Sequence, residues 1–308
     1  MRKLFAFVLA LCMVVPMLCI TAFAEEIPSE EVPPAAGTVI RVSGLKAGEA
    51  KPEIVQEYTN HAVGWEAAID LARSSKEMKT RGFIRVVVDL YADWTAVKGE
   101  FCNSGDGFNW DAIYFPDDVR VTVNMNGHTI DRGIRDAYQY NGEVMYIDEN
   151  ADVIINNGTI TGGWSCNGAG GIHICDKAKV VLNNVNIVGN RVDDDDGAGI
   201  AVYDGAVLTM NGGCVSHNES YNAVYGGGVY IDDGSAAFTD VTFENNQGFE
   251  RSTHGAAVYV DDGTLIMEGC KVIGNGLTLT NDGTACFGAY SIIDISNGSK
   301  VTITETEF

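Results

Sequence analysis

The C-terminal half of the chain repeats itself with a period of 28 or 29 residues. Three landmarks keep this period: an apolar pair with one residue between its members, an acidic residue after the pair, and an apolar-x-x-Asn element. The pairs begin at Ile172, Ile200, Val229 and Val258, the acidic residues are Asp148, Asp176, Asp204, Asp233 and Asp262, and the asparagines are Asn190, Asn218, Asn246 and Asn275. Less regular copies begin at Val144 and near Ile293. A unit of this size cannot bury its apolar side alone, so successive units must stack and share a core.

Each unit holds three short β-rich pieces separated by Gly, Asn and Asp, as in Ile172–Cys175, Val180–Leu182 and Val185–Ile187. None of these pieces is long enough to form a crossover helix. At a rise of roughly 3.3 Å per residue, three strands and their turns use one unit in a single circuit. The repeat therefore predicts an all-β fold in which each unit is one coil of a parallel β-helix, over residues 115–308.

Strand alternation and the asparagines predict where the side chains point. Successive strand residues face opposite sides, so Ile172, Ile174, Ile200 and Val202 should lie inside, and His173, Ala201, Tyr230 and Tyr259 outside. Asparagine tolerates left-handed turn geometry, and its amide can hydrogen-bond to the equivalent amide one coil away. We therefore predict a ladder of asparagines along one corner of the coils.

The repeat resembles that of polymorphic outer-membrane proteins, which is marked by GGA-[ILV] and FxxN elements. The first element has its counterparts in Gly170-Gly171-Ile172, Gly197-Ala198-Gly199-Ile200, Gly226-Gly227-Gly228-Val229 and Gly255-Ala256-Ala257-Val258, and the second in Phe243-Glu244-Asn245-Asn246. The layout also resembles adhesin-like β-helix proteins of anaerobic gut bacteria. The resemblance implies a right-handed, single-stranded, pectate-lyase-like solenoid with a surface and adhesive role. The C-terminal barrel of the outer-membrane family has no counterpart in this sequence, so an outer-membrane route is not supported.

The first 24 residues are predicted to be a secretory signal peptide. Arg2 and Lys3 precede an apolar run over residues 4–20, and Ala22-Phe23-Ala24 provides small residues before a cleavage site after Ala24. Cleavage would change the net charge from −22 to −24, because the leader carries two bases and no acids. So negative a surface disfavours nucleic acid and anionic lipid as partners. We expect a secreted, extracellular or cell-surface protein that does not insert into the membrane after cleavage.

Between the leader and the repeat, the sequence predicts a linker and a cap. Residues 25–60 are interpreted as a linker, rich in Glu and Pro at its start, and a lead-in. Within residues 61–114, apolar residues at helical spacing predict an amphipathic helix over 61–75, and Phe83 to Leu90 predicts a buried strand. The helix would cover the open edge of the first coil. Residues 300–308 look like strands of a further coil, so we expect a further chain segment at the C-terminal end.

The outward aromatic residues are the candidate ligand-binding residues: His173, Tyr203, Tyr230 and Tyr259. Tyr230 and Tyr259 should stack one coil apart, with His173 in the same row and Tyr203 in the adjoining row. Exposed rings on a rigid face can bind a glycan or a surface protein of a host or a bacterium. The alternative is that the rings only stabilise the sheet as a cross-strand ladder.

An acidic run is the candidate metal site, with calcium as the ion: Asp193, Asp194, Asp195 and Asp196. Carboxylates in one loop offer the oxygen ligands that calcium prefers. The run fails the EF-hand pattern, because Val192 stands where that loop should begin. A solvated charged loop is the alternative, and no other cofactor is predicted.

A carbohydrate-active enzyme, either a polysaccharide lyase or a glycoside hydrolase, is the alternative to a binding module. Such an enzyme needs two carboxylates across a sugar bond, or an acid cluster with a base. Asp232-Asp233 and Asp261-Asp262 offer acids, but they occupy the same turn of successive coils, where Asp-Gly is favourable turn chemistry. The sequence therefore favours a binding module.

Overall fold

A computed structural model describes residues 32–76, 83–95, 112–136, 138, 140–221, 225–249, 254–276 and 292–308. The predicted signal peptide lies outside the described residues. The described coils form a parallel β-helix, as predicted, and their strands belong to three sheets.

Sheet 1 contains the strands that begin with the apolar pairs. Its parallel strands are Ile113–Phe115, Met145–Ile147, Ile172–Ile174, Ile200–Tyr203, Val229–Asp232, Val258–Asp261 and Ile293–Ser296. The inward residues, among them Ile172, Ile174, Ile200 and Val202, are fully buried as predicted. The earliest copy is shifted by one position, because Met145 and not Val144 pairs with Ile172. Both residues are apolar and buried, so the sequence pattern did not distinguish them.

Sheet 2 is the longest sheet and includes the N-terminal strands. Its strands are Ile40–Lys46, Glu53–Tyr58, Phe83–Leu90, Trp94–Thr95, Arg120–Asn124, Thr129–Asp131, Asp152–Thr161, Lys179–Val188, Val207–Ser216, Ser235–Thr239, Thr242–Glu244, Thr264–Glu268, Lys271–Ile273 and Lys300–Thr304. The predicted pieces Val180–Leu182 and Val185–Ile187 are one strand that bends at Asn184, where φ is 51°.

Sheet 3 is a short sheet that the sequence pattern did not predict. Its parallel strands are Trp164–Ser165, Arg191–Asp193, Glu219–Tyr221 and Gln247–Gly248. These strands follow the predicted asparagine corner. There Asn190 and Asn218 each donate from the backbone and side-chain nitrogens to the side-chain oxygen of the next asparagine, at 2.9 to 3.2 Å. The predicted asparagine ladder is therefore confirmed.

The predicted cap is a helix over His61–Lys76, with Asn60 accepting a hydrogen bond from the Val63 amide at its N-terminus. Trp65, Ala68, Ile69 and Ala72 are buried against the same core as the coils, and the Trp65 ring lies 4.9 Å from that of Phe115. Val63, which falls at the same helical spacing as these apolar residues, is exposed. The segment interpreted as linker and lead-in contains two antiparallel strands, Ile40–Lys46 and Glu53–Tyr58. Ile40–Lys46 also pairs with Phe83–Leu90, which extends sheet 2.

Candidate functional site

The outer face of sheet 1 carries a column of stacked rings. Tyr114, Tyr146 and His173 are paired in register, and so are Tyr230 and Tyr259. The Tyr230 and Tyr259 ring centroids lie 5.7 Å apart with an interplanar angle of 16°, as the spacing predicted.

Ala201 interrupts the column, and Tyr203 fills the gap from the adjoining column. Its ring lies 5.0 Å from His173 and 5.6 Å from Tyr230. All four predicted ligand-binding residues therefore lie on one face, as part of one continuous stack.

The expectation that these rings are exposed is wrong for Tyr230 and Tyr259, whereas His173 and Tyr203 are partly exposed. Tyr230 and Tyr259 are only 6% and 5% exposed, and they form a second apolar cluster with Ala169, Ala201 and Tyr225. Described residues of the segments between sheet 3 and sheet 1, among them Gly168, Ala169 and Tyr225, pack against this outer face. Alternation identifies the side of the sheet on which a residue lies, but it does not identify what covers that side. The burial of Tyr230 and Tyr259 is consistent with the alternative, a ladder of rings that stabilises the sheet.

His173 shows how closely the loops cover the column. Gly168, with φ of +91°, passes over the imidazole so closely that a side chain there would overlap the ring. The His173 Nδ1 is buried and has no hydrogen-bond partner among the described residues. Burial lowers the pKa of His173 to about 4, so the ring is neutral at physiological pH.

The acidic run ties neighbouring loops together. The Asp195 carboxylate accepts hydrogen bonds from the amides of Gly168 and Asp196, at 2.6 and 2.8 Å. The Asp196 carboxylate accepts one from the Tyr225 amide, at 3.0 Å, on the following coil. Asp194 is exposed and Asp193 is buried. In the part of the chain that the structure describes, no group of three or more His, Cys, Asp or Glu side chains is arranged to hold a metal ion.

At the C-terminal end of the ring column, an acidic residue replaces the aromatic residues. Asp294 takes the register position next to Tyr259, so an aspartate follows the tyrosines. The Asp294 carboxylate pairs with His254 Nδ1 at 2.7 Å, and the two side chains are 27% and 34% exposed. Tyr225 is also partly exposed; its ring lies 5.8 Å from His254 and 4.2 Å from Tyr259. We call Tyr225, His254, Tyr259 and Asp294 the His254 patch.

Sequence reasoning missed most of this patch. The repeat does not mark His254, because the equivalent position in the preceding coil is Tyr225. Asp294 was hidden because the step from Tyr259 is 35 residues instead of 29. The signal that was present is the strand Ile293–Ser296, in which Asp294 occupies the outward position that is tyrosine in the two preceding coils.

Of the four acids considered for catalysis, Asp233 and Asp262 lie in turns, whereas Asp232 and Asp261, also predicted in the turn, are the last residues of sheet 1 strands. Asp233 and Asp262 have φ of 47° and 46°, the left-handed geometry of a turn, which confirms the turn interpretation. Asp232 and Asp261 pair in register on the outer face, one column from the tyrosines. Burial, and then the charge of Asp261, raise the pKa of Asp232.

A buried glutamate lies near the start of the coils. Glu143 is fully buried at the turn position that is Gly170 and Ala198 in the next two coils. Its carboxylate accepts a hydrogen bond of 3.2 Å from Ser165 Oγ, and its Oε1 has no partner among the described residues. Burial raises the pKa of Glu143 to about 8, against the opposing effect of the Arg132 charge.

Two further features of the described residues are the state of the cysteines and the length of the helix. Cys166, Cys175, Cys214 and Cys270 are free. No helix in the described ranges is long and apolar enough to cross a bilayer.

Comparison with known proteins agrees with this architecture. A family model described as a right-handed β-helix region matches residues 117–308, more than half of the chain. Searches of curated proteins and of solved structures give no significant match. The match coincides with the coils that carry the asparagine ladder, the ring column and the His254 patch, and on this basis the chain belongs to the right-handed β-helix family.

Proposed function

We propose that this protein is a secreted or cell-surface β-helix module, adhesin-like in role, that binds a glycan through the His254 patch. The observation that carries the proposal is the partly exposed His254–Asp294 pair beside Tyr225, where the ring column ends. The export and surface parts rest on the leader pattern and on the resemblance of the repeat to adhesin-like proteins.

The chemistry of the patch suits sugar hydroxyls. A carboxylate accepts hydrogen bonds from hydroxyls, an imidazole can donate or accept, and a tyrosine ring provides apolar area with a polar end. Asp294 is part of a sheet strand and Tyr225 forms a β-bridge with His254, so these groups are held by the backbone before a ligand arrives. Preorganised groups lose less conformational freedom on binding.

A glycan array followed by titration calorimetry tests the proposal. The variants His254→Gln and Asp294→Asn each remove one partner of the pair with little change in volume. Glu53→Gln is the matched control, because Glu53 also forms an ion pair, with Lys46 in the N-terminal strands.

We expect both patch variants to weaken binding by roughly 10-fold or more, since a hydrogen bond to a charged group contributes about 1.5–3 kcal/mol. The control should bind as the wild type does. Equal binding by all three variants would contradict the proposal, as would capture of a protein partner with no glycan bound.

A carbohydrate-active enzyme is the second candidate, favoured by one observation. The Asp294 carboxylate is hydrogen-bonded to Nδ1 of His254. Such a contact orients an imidazole ring for general base catalysis. Incubation with the glycans that bind, followed by assays for new reducing ends and for unsaturated products, separates the two functions. Turnover that His254→Gln abolishes would establish the enzyme, and binding without turnover would establish the module.

A further inference from the structure

The column beside the His254 patch is acidic. Asp232 and Asp261 face outward from consecutive coils and are both partly exposed. Each lies two residues after a tyrosine of the ring column, on the same face of sheet 1. Asp294 adds a third carboxylate in the last strand of the sheet. The face on which a glycan would lie is therefore lined by carboxylates.

Asp232 and Asp261 are not neutralised by a basic side chain within the described residues. No lysine or arginine there lies in ion-pair contact with either one. Asn297 donates a hydrogen bond from Nδ2 to a carboxylate oxygen of Asp261. Because an amide carries no charge, this bond does not neutralise the carboxylate. Paired strands lie roughly 4.8 Å apart, so the two carboxylates repel each other at short range. The raised pKa of Asp232, caused by burial and then by Asp261, is consistent with this repulsion.

We infer that the ligand of the His254 patch is a glycan with protonated amino groups, such as a chain of glucosamine units, and that uronate glycans are excluded. The inference rests on the proposed function and adds the charge of the ligand. An ammonium group placed between Asp232 and Asp261 relieves their repulsion and pairs with both. A uronate carboxylate would instead add a further negative charge to a face that already carries several.

The test compares three oligosaccharides of the same length: a glucosamine hexamer, its fully N-acetylated counterpart and a galacturonate hexamer. Binding to the full chain is measured by calorimetry at pH 6, at low and at moderate salt. The double variant Asp232→Asn/Asp261→Asn removes the acidic column. Its matched control, Glu244→Gln/Glu268→Gln, removes two carboxylates from the strands of sheet 2 and so changes the net charge equally.

The expected result is that the glucosamine hexamer binds at least 10-fold more tightly than the acetylated hexamer and that the galacturonate hexamer does not bind. The Asp232/Asp261 double variant should lose that preference, and the control should keep it. Loss of the preference in the control as well would show only a net-charge effect and would overturn the inference.

Equal binding of the acetylated hexamer, with loss in the His254→Gln variant, would overturn the inference and leave the proposed function intact. Binding of no glycan would overturn both.

Discussion

Glu143 should make the stability of this protein fall as the pH rises. The pKa of Glu143 is about 8 in the folded protein, against 4.5 for an ordinary glutamate. Between these values the unfolded chain releases a proton that the folded chain keeps, so the free energy of unfolding decreases from pH 4.5 to about 8 and then levels off. At about 1.4 kcal/mol per pKa unit, the full effect is about 5 kcal/mol, of which about 3 kcal/mol is lost by pH 7.

The substitution Glu143→Gln isolates this effect. Glutamine has nearly the same shape, can still accept the hydrogen bond from Ser165 and does not titrate. Urea unfolding at pH 4, 7 and 9 should give similar free energies for the two proteins at pH 4 and a variant that is more stable by several kcal/mol at pH 9. Glu149→Gln, at an exposed acid in the next turn, is the control.

Parallel pH curves for the wild type and Glu143→Gln would refute this reasoning. They would mean that Glu143 is already ionised in the folded protein and that the nearby Arg132 charge stabilises the carboxylate more than burial opposes it.

Three further predictions concern the coils. Asn218→Ala should lower the free energy of unfolding in urea by about 3 kcal/mol or more, because it leaves buried partners of the ladder unsatisfied. Asn211→Ala, on the exposed side of the same coil, should cost less than about 1 kcal/mol. In the wild type, the free energy of unfolding should fall by up to about 3 kcal/mol between pH 6.5 and 4, because His173 binds a proton in the unfolded chain but not in the folded protein. The substitution His173→Phe should remove this part of the pH dependence. Asp195→Asn should raise hydrogen exchange at the Gly168 amide by roughly 10-fold, and unchanged exchange would show that the loop is held by other contacts.

The fold could be predicted from the sequence because its landmarks carry physical requirements. Only an amide side chain can complete the corner at Asn190 and Asn218, and only apolar residues fit the inward positions such as Ile172. Such requirements recur in each coil, so their period is visible. The strands Ile40–Lys46 and Glu53–Tyr58 were missed because they pair antiparallel and belong to no repeat.

The site could not be predicted in the same way, because its exposure depends on the loops. Whether Tyr230 is exposed depends on how the chain returns from sheet 3 to sheet 1. That path is fixed by bonds between distant residues, such as the one from Gly168 to Asp195. No local sequence pattern predicts a hydrogen bond between residues so far apart in the chain. The predicted stacking of the rings was therefore right, and the predicted exposure was wrong for Tyr230 and Tyr259.

Within a stacked repeat, identical amide or aromatic residues in register satisfy one another, whereas identical carboxylates such as Asp232 and Asp261 repel each other. Asn218 uses its amide on its neighbours in the ladder, and Tyr230 and Tyr259 place their rings against each other. Such positions stabilise the coils and have little left to offer a ligand. A coil that changes the residue type at a ladder position breaks this mutual satisfaction, as Glu143 does near the first coils and Asp294 does near the last. In this β-helix, the positions where one coil departs from its neighbours are therefore better evidence of binding chemistry than the regular columns of asparagine or tyrosine.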